Sequence, residues 1–277
     1  MRKLIPFIFL LVTSIISCKQ SASHQSFNYG TENDSALYYF NKGWEQILDL
    51  GQWSLSEQSF RKAVAFDDNF MIGKSLVGRI SGDLAERQDL FEEIWLGRDQ
   101  VSDDERLLLN IFISNINIMN LRGTSSSVST EVREKHTSLA ERNFRNFIHK
   151  YPGESYMKAE YIETLHALYG AEQALDSLTK LASPEQATLP FYITYSAILQ
   201  TELGDFRDAL ANAEKVKTVF NDANIPQQYV LLSEIYYAMD SLETAKVNID
   251  RAVELDPKHL IAQGMKTRIE RQMSVNE

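Results

Sequence analysis

The sequence predicts an all-α fold, a solenoid of stacked helix-turn-helix repeats, and three observations carry that prediction. From Ser35 onward, apolar residues recur at three- and four-residue intervals, the spacing that gathers them on one face of a helix. Gly or Asp interrupts this pattern every 12 to 18 residues, as at helix ends. Small residues suited to a close helix crossing, Ala140, Ala174, Ala209 and Ala245, follow one another at intervals of 34, 35 and 36 residues, and a period of that length marks a repeat array.

Composition sets the outer limits. Of 277 residues 44% are hydrophobic, with only 12 Gly and 6 Pro, so the chain has material for a core and lacks the make-up of disordered or fibrous proteins. Its 28 Lys and Arg against 38 Asp and Glu leave a formal charge of −10, the wrong sign for a nucleic-acid partner. The single Cys excludes intrachain disulfides and thiolate zinc sites.

Residues 1–17 begin with the cations Arg2 and Lys3, continue in an apolar run of 13 residues from Leu4 to Ile16, and meet Cys18 after Ser17. This is a secretory leader layout. The run is too short for a permanent span, which takes about 20 residues. Ile15-Ile16-Ser17-Cys18 resembles the lipobox of bacterial lipoproteins. That resemblance implies cleavage before Cys18 and its modification by acyl chains such as palmitate, which together bind a membrane durably. Removal of residues 1–17 takes away two cations and no acid, moving the formal charge from −10 to −12. The expected location is the cell envelope of a Gram-negative bacterium. Lys19 and Gln20 do not resemble the Asp that favours inner-membrane retention, which points to the outer membrane. Residues 18–34 are polar and Ser-rich and read as the lipidated Cys with a flexible tether.

The folded domain is expected over residues 35–274, with about 13 helices and no separate catalytic domain. The first unit carries Trp44, Gly51, Ser56, Phe60 and Ala63 at relative positions 8, 15, 20, 24 and 27. Phe70 to Asp99 keeps only Gly82, Asp83 and Ala85 of the pattern. Ser102 to Leu121 has an acidic cap ahead of a long apolar run. Gly123 to Thr130 reads as a mobile loop within a helical pair. Ala140 is followed by Phe144, Phe147 and Pro152. The unit from Pro190 places Ala197, Gly204, Ala209 and Ala213 at 8, 15, 20 and 24, and the unit from Pro226 places Ala245, Ile249, Ala252 and Pro257 at 20, 24, 27 and 32.

These positions resemble the tetratricopeptide repeat, and the resemblance implies a right-handed superhelix whose first helices line a concave groove. Ligand contacts in that family come mostly from relative positions 2, 5, 9 and 12. Carried onto this chain they are Tyr38, Asn41, Glu45 and Leu48; Tyr156, Ala159, Glu163 and His166; Phe191, Thr194, Ile198 and Thr201; and Gln227, Val230, Glu234 and Tyr237. The set holds three Tyr and three Glu with no Lys or Arg, so a carboxylate-clamping groove is not expected. Tyr gives contact area at low entropic cost and suits an interface.

Catalytic patterns are missing from the sequence. Gly73-Lys74-Ser75 ends like a phosphate-binding loop, but Asp68 stands where the first Gly is needed, so Lys74 reads as a helix-surface residue. His24, His136, His149, His166 and His259 occupy five separate segments with no metal-ligand spacing. Asp67-Asp68, Glu92-Glu93 and Asp103-Asp104 are adjacent pairs that splay apart on a helix and suit caps and turns. Trp44, Trp53 and Trp95 could stack on sugars, but their helical spacing favours core packing. The expected protein is therefore a non-enzymatic scaffold without cofactor or metal. It would bind an extended or helical segment of another envelope protein, with a glycan-binding lipoprotein of an outer-membrane nutrient uptake complex as the alternative.

Overall fold

The computed structural model describes residues 27–124 and 127–276. Residues 1–17 of the expected leader, Cys18 and residues 19–26 of the expected tether lie outside them. Among the described residues there are 13 helices and no strand. They are α1 (Asp34–Trp44), α2 (Trp53–Phe66), α3 (Met71–Ile80), α4 (Leu84–Gly97), α5 (Asp103–Thr124), α6 (Thr130–Lys150), α7 (Ser155–Tyr169), α8 (Ala171–Leu181), α9 (Pro190–Glu202), α10 (Phe206–Phe220), α11 (Pro226–Ala238), α12 (Leu242–Leu255) and α13 (Leu260–Asn276). Consecutive helices pair, and the first helix of a pair also packs on that of the next, as α3 on α5, α9 on α11 and α11 on α13. This is an all-α helical repeat solenoid. None of the described helices is long and apolar enough to cross a membrane.

Local chemistry sets the helix ends. Asn33 starts α1 by accepting the Ser35 and Ala36 amides at 2.9 and 3.1 Å. Pro190 and Pro226 open α9 and α11, where a missing N–H costs nothing. Asn221 ends α10 at φ 45°, a left-handed conformation that Asn tolerates. Between α5 and α6 the expected mobile loop falls partly outside the described residues. Val128 within it is buried, and its carbonyl accepts from Arg133 Nη2 at 2.7 Å.

The repeat spacing has a steric basis. Ala174, Ala209 and Ala245 are fully buried at helix crossings, where a larger side chain would force the helices apart. In the last pair the Ser233 hydroxyl donates to the Ala245 carbonyl, 12 residues on. In the first pair the crossing bond runs the other way, from the Ser56 hydroxyl on α2 back to the Gly43 carbonyl on α1, and spans 13 residues. The extra residue is absorbed where α1 continues as a π-helical turn over Glu45–Asp49. Gly43, and not Trp44, therefore holds the small-residue position: a Cβ there would collide with the Phe60 ring. The rotation leaves Trp44 against Phe60, Phe112 and Tyr156.

The degenerate stretch forms a regular pair, α3 and α4. α3 is wedged between α2, α4 and α5, and every residue from Ile72 to Gly78 is buried. That corrects the reading of Lys74 as a surface residue: its stem is covered, and its ammonium pairs with Glu93.

Two long-range features were not expected. Residues 27–33 are a packed strap, which corrects their assignment to the tether. Phe27 meets Tyr29, Phe147 and Tyr151 at ring distances of 5.1, 5.0 and 4.8 Å. Its amide and the Tyr29 hydroxyl both donate to Glu154, 127 and 125 residues away. At the other end Thr31 donates to Asp67 at 2.6 Å. The aromatic rings outweigh the polar composition because each buries far more apolar area than the Ser residues around it could.

The second feature is closure of the solenoid. Asp256, after α12, accepts the Ser54 amide at 2.9 Å and the Ser54 hydroxyl at 2.5 Å, across 202 residues. Lys258 reaches Glu57 at 2.8 Å, the Gln227 amide donates to the Leu50 carbonyl, and Trp53 lies on His259. Asp49 completes the seam by accepting from the Phe191 amide at 2.9 Å and the Tyr156 hydroxyl at 3.0 Å. Burial still pushes its carboxyl up to about 6.

Candidate binding face

The residues chosen from repeat positions fall into three environments. Tyr38, Asn41 and Glu45 lie with Lys42 and Tyr156 around a small pocket of about 240 Å³ at one end. Tyr38 is exposed, Glu45 pairs with Lys42 at 2.9 Å, and Tyr156 is tied to Asp49.

Phe191 and Thr194 are only 4% and 2% exposed. This corrects their assignment to a groove open to a partner: the π-helical turn brings Asp49 and Leu48 onto the start of α9 and covers it.

Glu163, His166, Glu234 and Tyr237 do come together, along a line of charge that crosses the inner helices. It begins with Arg79 on α3, whose Nη2 contacts both Glu160 oxygens at 3.1 and 2.9 Å. Glu163 follows, one turn along α7. Burial first, then repulsion from Glu160, raises its carboxyl to about 8 even though Arg79 pulls it down. His166 continues the line, with Nδ1 2.8 Å from the Tyr195 hydroxyl and Nε2 3.0 Å from Glu202. Tyr195, on α9, feels Glu163, Glu202 and Glu234 at once, and burial with their repulsion drives its phenol far above the usual range.

Glu234 on α11 is held up at about 7 by burial, opposed by Arg268 and helped by Glu202. Its Oε2 is sealed from solvent with no hydrogen-bond partner among the described residues. Arg268 on α13 closes the line with its guanidinium 4.5 Å over the Tyr237 ring.

Four carboxyls thus stand between two terminal guanidiniums, and a carboxyl pushed above neutrality is short of positive charge. Sequence reasoning missed Glu160, Tyr195, Glu202, Arg79 and Arg268. For Arg268 a signal existed: counting 34 residues on from Pro226 starts another unit at Leu260, whose position 9 is Arg268, matching Glu163 and Glu234 in theirs. Glu160 and Tyr195 both occupy position 6, which turns onto the same face. Arg79 lies in the stretch where the pattern was too weak to number.

A cavity of about 450 Å³ opens beside the Arg79 end, between α1, α2, α3, α5, α6, α7 and the start of α13. Trp44, Phe60 and Leu76 are buried in its floor, and Arg122, Arg133 and Leu260 are exposed at its edge. His136 also lines it, with Nδ1 3.1 Å from the Ser114 hydroxyl. Burial and the neighbouring Arg79 lower its pKa, so it is neutral at pH 7.

The three tryptophans divide. Trp44 is core, and Trp53 is half-buried at the closure seam. Trp95 is 46% exposed, which corrects its assignment to the core, and the Arg98 guanidinium lies 3.7 Å over its ring, covering a face that a sugar would need. Among the described residues no group of three or more His, Cys, Asp or Glu is arranged to hold a metal ion. The paired carboxylates serve as local anchors: Asp67 accepts from Thr31, and Asp104 accepts from Lys150 and Tyr151. No family model matches the chain, and no curated protein is significantly similar to it in sequence.

Proposed function

We propose that this protein is a non-enzymatic scaffold, tethered to the outer membrane through lipids on Cys18, that holds a basic segment of another envelope protein against the inner faces of α7, α9 and α11. The observation that carries this reading is the line of Glu160, Glu163, Glu202 and Glu234 around Tyr195, with two of its carboxyls raised to about 8 and about 7. A Lys or Arg entering this line supplies the charge that the acids lack. The protons then leave Glu163 and Glu234, and the resulting ion pairs form in a partly dry setting where they are stronger than at an open surface. Tyr237 and the Tyr195 hydroxyl add contact area and orientation.

The test is capture from detergent-solubilised envelopes by the full chain, beside a Glu163→Gln/Glu202→Gln/Glu234→Gln variant, with a lysine-rich peptide as competitor. The expected result is one envelope protein retained by the native chain, displaced by the peptide and lost with the variant. Equal retention by the variant, or indifference to the peptide, would sink the reading.

A further inference from the structure

We propose that the 450 Å³ cavity beside Arg79 binds an amphipathic anion, an aliphatic chain carrying a carboxylate or a phosphate monoester head. This goes beyond the scaffold reading and uses different residues, apart from the Arg79 and Glu160 pair that borders both. The volume falls within the roughly 300–1,000 Å³ of small-molecule sites.

Its charge is the first argument. The chain as a whole is −10, yet the lining of this cavity has three guanidiniums, Arg79, Arg122 and Arg133, against the single carboxylate of Glu160. A reversal of sign in one concave place focuses the field on an anion.

The second argument is unused hydrogen-bonding capacity. Arg79 gives only Nη2 to Glu160, so among the described residues its Nε and Nη1 have no acceptor. Arg133 spends Nη2 on the Val128 carbonyl, and Arg122 makes no hydrogen bond or ion pair among the described residues. Guanidiniums suit planar or tetrahedral oxyanions, so the open N–H edges of Arg79, Arg122 and Arg133 are placed to receive one.

The third argument is the division between edge and floor. Arg122 and Arg133 are exposed at the edge, whereas Phe60, Leu76 and Ile118 are at most 6% exposed beneath. A head group at the edge with its chain on the floor satisfies both. A free phosphate leaves the floor empty, and a neutral lipid leaves the guanidiniums unpaired.

Two of the three tryptophans, Trp44 and Trp53, line this cavity and Trp95 does not, which supplies a probe. The purified full chain, free of detergent, is titrated with 12-bromododecanoate, whose bromine quenches indole fluorescence on contact. The expected result is saturable quenching at one equivalent. Binding should be at least tenfold weaker for 12-bromododecanol, which has the same chain and no charge. It should also be at least tenfold weaker in an Arg122→Gln/Arg133→Gln variant, whose cooperative melting is checked alongside because Arg133 also holds the Val128 carbonyl. Competition by dodecyl phosphate identifies the head: displacement at lower concentration than dodecanoate supports phosphate, and displacement only at higher concentration supports carboxylate. Equal quenching by the alcohol overturns the proposal. So does unchanged affinity in the double variant, which would put the probe on the apolar leader instead. Neither result bears on capture of a protein partner by the Glu163 face.

Discussion

The two halves of this solenoid are held together by different physics. From α7 to α12 the helices cross on alanines, and the apolar residues divide into small clusters, each shared by neighbouring pairs. From the strap to α6 a single cluster runs unbroken, built from Phe27, Tyr29, Phe40, Trp44, Phe60, Phe112, Phe144 and Phe147. The C-terminal half follows the rule of repeat arrays, in which each unit depends on its neighbours alone. The N-terminal half behaves like the core of an ordinary globular domain, with partners more than a hundred residues apart. Degenerate repeats can afford their lost pattern when long-range aromatic packing replaces it. The electrostatics divide in the same way, with guanidiniums at the N-terminal cavity and carboxyls along the C-terminal inner face.

The sharpest way to break this contrast is Phe147→Ala. The ring is fully buried between Phe27 and Tyr151, and its removal should cost about 3–5 kcal/mol in denaturant unfolding. A loss below about 1 kcal/mol would show that the aromatic cluster is not a cooperative unit. Next comes Ala245→Leu, which overpacks a crossing in the regular half and should cost about 1–3 kcal/mol. Because the two sites belong to separate clusters, the double variant should show the sum of the two losses within about 0.5 kcal/mol. Strong non-additivity would mean that the closure seam welds the halves into one folding unit.

The smallest effect is a pH slope. Glu163 titrates near 8 when folded and near its ordinary 4.5 when unfolded. Between those values the folded chain holds the extra proton, so this group's stabilising contribution is full below about 4.5 and is lost as pH rises to about 8. Glu163→Gln should therefore flatten that decline and gain on the native chain as pH rises from 5 to 8, read as melting midpoints across the range. Parallel profiles would place the Glu163 carboxyl in water.

How much of this was legible in the sequence follows from the range of each interaction. Helix periodicity and the spacing of Ala174, Ala209 and Ala245 are set by steric contacts between neighbouring helices, and a period in the sequence records them directly. Glu163, His166, Glu234 and Tyr237 could be found because position within a unit fixes the face. The strap, the Ser54–Asp256 seam and the burial of Phe191 and Thr194 were hidden, because each depends on where a segment far along the chain comes to rest. Asp49 illustrates the limit: no local pattern marks it, yet it holds the starts of two helices more than a hundred residues away. The π-helical turn left a trace, the appearance of Trp at a small-residue position, but only the structure shows that one inserted residue explains it.

The strap also decides how a mechanical load enters the molecule. A pull arriving along residues 19–26 reaches Phe27, whose amide is bonded to Glu154 at the α6–α7 junction, and passes through Tyr29 and Thr31 to Phe40 and Asp67. Tension is therefore passed both to the middle of the chain and to its first helical pair. Tugged from a surface, the solenoid would hang from its waist.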